Sequence, residues 1–165
     1  MKALVTYYSE TGNTEKLARA IYEAIYIEKE LKPIQDVKDT SGYDIIFYGF
    51  PVKAHSVPGE AQELIKKLPK GQKIVFFSTH GSRRDGQLPK QALEHALGLS
   101  SKIKVLGHFG CQGKVSAKLI DSLKEKPEHK AWVEEALAAE GHPDQHDLAD
   151  AKNFTSQILA FSAKK

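Results

Sequence analysis

Short apolar runs rich in Val, Ile, Phe and Tyr recur at residues 3–8, 43–50, 73–78 and 103–110. Each is too short for a buried helix and apolar at nearly every position, which predicts strands covered on both faces. Between the runs the period changes. Leu17, Ile21 and Ile25 recur at helical spacing after the first, and Ala61, Leu64, Ile65 and Leu68 after the second. Val115, Leu119, Ile120 and Leu123 follow the fourth in the same way. After the third, Pro89 opens a helix carrying Leu93, Ala96 and Leu97, since proline suits a first turn. A weaker strand at 28–35 contains Pro33 and alternates charge with sparse apolar residues, so it belongs at a sheet edge. The last helix starts near Pro143 and Asp144 and turns Leu148, Ala151, Ile158 and Phe161 inward. Residues 125–142 are an added segment with a helical stretch around 132–139. Strands and helices alternating in this order predict one doubly wound α/β domain over residues 1–165, built on a parallel sheet.

Composition narrows the class. The chain has 165 residues, 41% hydrophobic and 27% charged, enough for a single core without covalent staples. Lys+Arg 24 against Asp+Glu 21 gives a net charge of +3, too small an excess to predict a nucleic-acid partner. Cys111 is the single cysteine, so no internal disulfide forms, which suits a reducing compartment. No apolar run approaches the ~20 residues that span a bilayer. Met1 and Lys2 lead into a short apolar stretch and then a polar loop, unlike a signal peptide. The expectation is a cytoplasmic protein with neither a membrane nor a nucleic-acid partner.

In doubly wound sheets ligands bind beyond the carboxyl ends of the strands, near the point where strand order reverses. That places function in the loops 9–14, 51–57, 79–88 and 111–114. The first reads Ser9, Glu10, Thr11, Gly12, Asn13, Thr14 and runs straight into a helix. Gly12 and Asn13 tolerate unusual backbone angles, so the loop can curl its amides inward. Ser9, Thr11 and Thr14 offer hydroxyls, and the helix start adds free N–H groups and a positive dipole end. No Lys or Arg lies in the loop, so a phosphate would be held by hydrogen bonds rather than by a cation. The pattern is neither a Walker A loop nor the G-x-G-x-x-G dinucleotide fingerprint.

This SETGNT loop, preceded by LVTYY, resembles the phosphate loop of the flavodoxin family, Thr/Ser-x-Thr-Gly-Asn-Thr between the first strand and first helix. The resemblance implies five parallel strands in the order 2-1-3-4-5, helices on both faces, and FMN as cofactor with its phosphate in loop 9–14. It also implies that Pro51, Val52, Lys53, Ala54 and His55 meet the reactive edge of the flavin. Thr79, His80 and Gly81 would border the ring, with Cys111, Gln112 and Gly113 at its pyrimidine edge. Many flavodoxins stack a tyrosine on the ring from the loop at 79–88; none is present here, which implies a more open flavin face or weaker FMN binding. Such a protein would carry electrons or hydride to a redox partner protein or a small anionic substrate. An FMN-dependent reductase with its own substrate, and a flavin-free interaction module of the same fold, are the alternatives.

Charge sharpens that reading. Electron-carrying flavodoxins are typically acidic around the flavin, whereas these loops carry Lys53, Arg83, Arg84 and Lys114 against Glu10 and Asp85. A cation near a developing anion is worth about 1–4 kcal/mol, depending on the local dielectric. The expectation is a flavin that is easier to reduce fully, and steering towards anionic substrates or acidic partners. Other constellations carry less. His142, Asp144, His146, Asp147 and Asp150 include two histidines four apart, but His142 precedes Pro143 and acids are normal in a first helical turn, so no metal site is predicted. A phosphoacceptor response regulator needs an aspartate where this chain has Gly49, Phe50 and Pro51, and the G-x-S-x-G of serine hydrolases is absent. Cys111 suits a small buried filler better than a nucleophile.

Overall fold

The computed structural model describes residues 1–164. Strands β1 (Lys2–Tyr7), β2 (Glu28–Pro33), β3 (Ile45–Pro51), β4 (Lys73–His80) and β5 (Lys104–Gln112) form one sheet in the order β2-β1-β3-β4-β5. Every pairing is parallel. Helices α1 (Asn13–Ala24), α2 (Gly59–Lys67), α3 (Gln87–Gly98), α4 (Ala117–Leu123), α5 (Lys130–Ala138) and α6 (Gln145–Ala163) make the connections and the carboxyl terminus. This is the doubly wound α/β fold expected from the chain order.

Continuous apolarity in the strands follows from burial on both sides. Val5, Phe47, Val75 and Phe77 pack with Leu17 and Ile21 of α1 and with Ala151 and Leu159 of α6. On the opposite face Leu4, Ile46, Tyr48, Ile74 and Phe76 pack with Ala61 and Ile65 of α2 and Ala92 and Ala96 of α3. There Tyr48, Phe50 and Phe76 stand with ring centroids 6.1–6.4 Å apart, and the buried Tyr48 hydroxyl donates to Ala61 O at 2.5 Å. Gly49 is required on the first face, where Phe77 packs. A Cβ there would lie 2.0 Å from the Phe77 ring. Edge strand β2 stays half-exposed and is fastened by charge, with Lys2 Nζ 2.7 Å from Glu30 and 3.3 Å from Glu28.

Several boundaries and faces differ from the sequence reading. Thr79, His80, Cys111 and Gln112 end strands instead of lying in loops, because the β4–β5 ladder continues through them. Helix α3 starts at Gln87, so Pro89 sits within its first turn rather than opening it. Phe161 is not turned inward; it is 53% exposed, and Leu159 and Ser162 take the inner face. No residue of α4 is buried, and Leu119 is exposed, so the apolar spacing there does not reach the core. The added segment forms α5, which buries Val133 and Ala136 against the carboxyl edge of the sheet.

Candidate functional site

β1 delivers the chain into the loop 9–14, where Gly12 turns with φ 90°. Ser9 Oγ accepts from Gly12 N at 3.1 Å and from Glu15 N at 3.4 Å, curling the loop over the start of α1. Gly12 offers no side-chain cap to that helix. Among the described residues, the amides of Thr11, Asn13 and Thr14 and the exposed Thr11 hydroxyl have no hydrogen-bond partner. Three open amides, a free hydroxyl and a helix N-terminus lie together in this one loop, and that donor set fits a phosphate monoester. Thr14 contributes differently from expectation. Its hydroxyl is buried 2.8 Å from Thr79 Oγ1, so it ties the loop to β4 and leaves its amide for a ligand.

The other loops are laced to the first. Asn13 Nδ2 donates to Lys114 O at 3.0 Å, and a Cβ at Gly113 would meet Asn13 Nδ2 at 2.8 Å, so this close approach depends on glycine. After Pro51, Val52 N donates to Thr79 O at 2.9 Å. Lys53 and Ser56 then exchange backbone hydrogen bonds of 3.1 and 2.9 Å, closing a two-residue hairpin on Ala54 (φ 44°) and His55 (φ 67°). Positive φ at both central positions is the type I′ arrangement, which normally selects Asn-Gly. It leaves the exposed amides of Ala54 and His55 open towards solvent.

β4 ends on His80, whose ring is buried and whose Nδ1 lies 2.6 Å from Ser82 O. A carbonyl only accepts, so Nδ1 carries the proton, and Nε2 is a bare acceptor with no partner. Burial pushes the His80 pKa down. Gly113 N donates to His80 O at 2.9 Å, and Gln112 Nε2 donates to Gly81 O at 3.1 Å and Glu135 O at 3.3 Å. Gln112 therefore presents only its amide oxygen to a ligand. Cys111 does not present its side chain at all: the thiol is in the core beside α1 and α6, and burial pushes its pKa up to about 12. α5 lays Trp132 and Ala136 against Gly81, with Trp132 Cζ2 3.4 Å from where a Cβ would stand.

The cationic rim expected from the loops is largely neutralised. Lys53 pairs with Glu10, Lys114 with Glu140 at 2.8 Å, and Arg84 with Asp150 at 2.9 Å and Asp147 at 3.3 Å. Among the described residues Arg83 alone of the four makes no ion pair. The neutralising partners Asp147, Asp150 and Glu140 come from the last helix and the segment before it, whose place above the loops was not readable from spacing.

The architecture has counterparts in known proteins. The family described as flavodoxin domain matches residues 4–156. The chain belongs to the flavodoxin family. Among curated relatives, the flavodoxin-like domain-containing protein BilS of Clostridioides difficile is 29% identical over 171 residues, spanning 96% of this chain and 97% of that protein. Among solved structures, a flavodoxin from the domain Archaea superposes over the whole of both chains with a TM-score of 0.64 at 18% identity. A Lactobacillus acidophilus flavoprotein in complex with FMN covers 66% of this chain and 92% of its own, with a TM-score of 0.55 at 23% identity.

Two further features of this flavodoxin-family chain lie beside the loops. A cleft of about 600 Å³ opens between residues 34–40 and α2, floored by Ile34, Val37 and Leu64 and sharing Tyr8 as a wall with the loop cluster. Its rim mixes Lys38 and Lys67 with Asp39 and Glu60, and the open amides belong to the loops, not to this cleft. His142, Asp144 and Asp147 bring one ligand atom each within 4.8 Å of the others. The two aspartates already serve the α6 capping box, in which Asp147 N donates to Asp144 Oδ1 and Asp144 N to Asp147 Oδ2, both at 2.9 Å. His142 Nδ1 lies 2.5 Å from that Asp147 Oδ2. No helix among the described residues is long and apolar enough to cross a membrane.

Proposed function

We propose that the chain binds FMN in these loops and carries electrons or hydride to a redox partner protein or a small anionic substrate. The observation that carries the reading is the set of open amides of Thr11, Asn13 and Thr14 beside the free Thr11 hydroxyl at the start of α1. Family membership supports a flavin, and the Lactobacillus relative is a complex with FMN. When bound, the flavin supplies the redox chemistry, and the protein supplies binding, orientation and electrostatics.

In this reading Ser9, Thr11 and the first amides of α1 hold the phosphate. The 53–56 hairpin offers the amides of Ala54 and His55 to the ring, and the backbone at Thr79–Gly81 and 111–113 borders its other edges. Arg83, exposed and unpaired among the described residues, favours an anionic partner over a cationic one. Charge-assisted hydrogen bonds contribute about 1.5–3 kcal/mol each. Replacing Ser9 and Thr11 together by Ala is expected to weaken FMN binding about a hundredfold while barely changing riboflavin binding. Titration followed by flavin fluorescence measures both. An FMN affinity that survives the double substitution contradicts the assignment.

A further inference from the structure

Glu10 is the unexpected member of the donor loop. It lies between Ser9 and Thr11 in the chain, and a negative charge carried by the loop that would hold a phosphate opposes that dianion. It is not left alone. Tyr8 Oη donates to Glu10 Oε1 at 2.9 Å, and the Lys53 ammonium, from the hairpin across the site, bonds the same oxygen. Lys53 Nζ also lies 5.8 Å from the centroid of the Tyr8 ring. The Lys53 bond first, and the Tyr8 bond second, hold the Glu10 carboxyl below its usual range, so the acid is ionised and shared.

Both side chains are nearly half exposed, 45% for Glu10 and 42% for Lys53. A pair so exposed adds little to folding stability. Its position is what distinguishes it: it joins the loop that would hold the phosphate to the hairpin that would meet the ring, 43 residues away in sequence. We propose that Lys53 is a specificity-determining residue, neutralising Glu10 so that an acid-bearing loop accepts a phosphorylated flavin. The inference rests on the FMN reading above. It also revises the sense in which the loop works without a cation. No cation touches the phosphate loop's donors from within the loop, yet one is supplied from outside to cancel the loop's own charge.

Loss of that cancellation penalises only the phosphorylated ligand, because riboflavin presents no anion to Glu10. Loss of hairpin order alone penalises FMN and riboflavin equally, because the ring is common to both. The ratio of the two affinities therefore separates the roles. The experiment titrates FMN and riboflavin into wild-type protein, Lys53→Met, Lys53→Arg, Glu10→Gln and the Lys53→Met/Glu10→Gln double variant, at low and high salt. Lys53→Met is expected to lower the FMN-to-riboflavin affinity ratio roughly fivefold, the Coulomb penalty of one exposed carboxylate on a nearby dianion. The drop should shrink at high salt, Lys53→Arg should keep the wild-type ratio, and the double variant should restore it. A ratio unchanged in Lys53→Met, or both affinities falling together, overturns the proposal while leaving the FMN reading standing. A wild-type protein that prefers neither ligand overturns the FMN reading itself. Chemical denaturation of each variant shows that folding is retained.

Discussion

Ala54 and His55 hold left-handed backbone angles, which cost residues with a Cβ about 1–2 kcal/mol each. The His55 side chain is exposed and makes no hydrogen bond among the described residues, so nothing local offsets that strain. Replacing His55 by Gly is expected to raise unfolding stability by about 1 kcal/mol, after allowing for glycine's greater freedom in the unfolded chain. Urea denaturation measures it, and a less stable variant would mean that the imidazole makes a contact worth more than the strain. At this scale the donor loop was legible, because Thr-Gly-Asn after a strand and before a helix is a local pattern. The hairpin was not, since nothing in Ala-His encodes positive φ. Neither was the duty of Thr14, whose hydroxyl is claimed by Thr79, nor the pairing of Lys53 with Glu10. Those contacts join residues 65 and 43 positions apart, and spacing in sequence carries no record of them.

Adjacent strands β4 and β5 carry a polar stripe on the face covered by α2 and α3. Ser78 Oγ lies 3.0 Å from His108 Nε2, and His80 stands beside both across Gly110. Burial, and secondarily His80, pushes the His108 pKa down to about 4 from its ordinary 6.5. The unfolded chain takes up this proton near pH 6.5, while the folded chain resists it until about pH 4. Stability therefore falls as pH drops through that window and levels off below it, by on the order of 3 kcal/mol for His108 alone. His80, shifted in the same direction, adds to the loss. Denaturation from pH 7 to pH 4 should show a flatter slope in His108→Gln than in wild type; equal slopes would remove His108 from the account. The strands themselves were legible because both-face burial writes continuous apolar runs. Helix faces were less so. In α6 the stripe through Ala151, Thr155, Leu159 and Ser162 follows the 3.6-residue turn, which leaves Phe161 about 120° from the centre of that stripe. Hydropathy favoured Phe161 for the interior, and angular position gave the place to Ser162, which satisfies its hydroxyl on Ile158 O at 2.8 Å.

Across the whole molecule, the sheet order puts the carboxyl ends of β1, β3, β4 and β5 side by side, and every candidate loop rises from one of them. That all these loops share one edge followed from the alternation of strand and helix, and the strand order from the resemblance to flavodoxins. The charge balance did not, because the acids that cancel Arg84 and Lys114 arrive on α6 and the turn before it. What survives is a loop of neutral donors with its one acid covered by Lys53, and Arg83 as the one arginine or lysine of the candidate loops without an ion pair among the described residues. The central claim is that this loop selects a phosphate. The direct measurement is the affinity of the wild-type protein for FMN and for riboflavin under identical salt and pH. The account predicts FMN binding tighter by at least about a hundredfold, from two or more charge-assisted hydrogen bonds that riboflavin cannot make. Equal affinities, or no flavin binding at all, would contradict it.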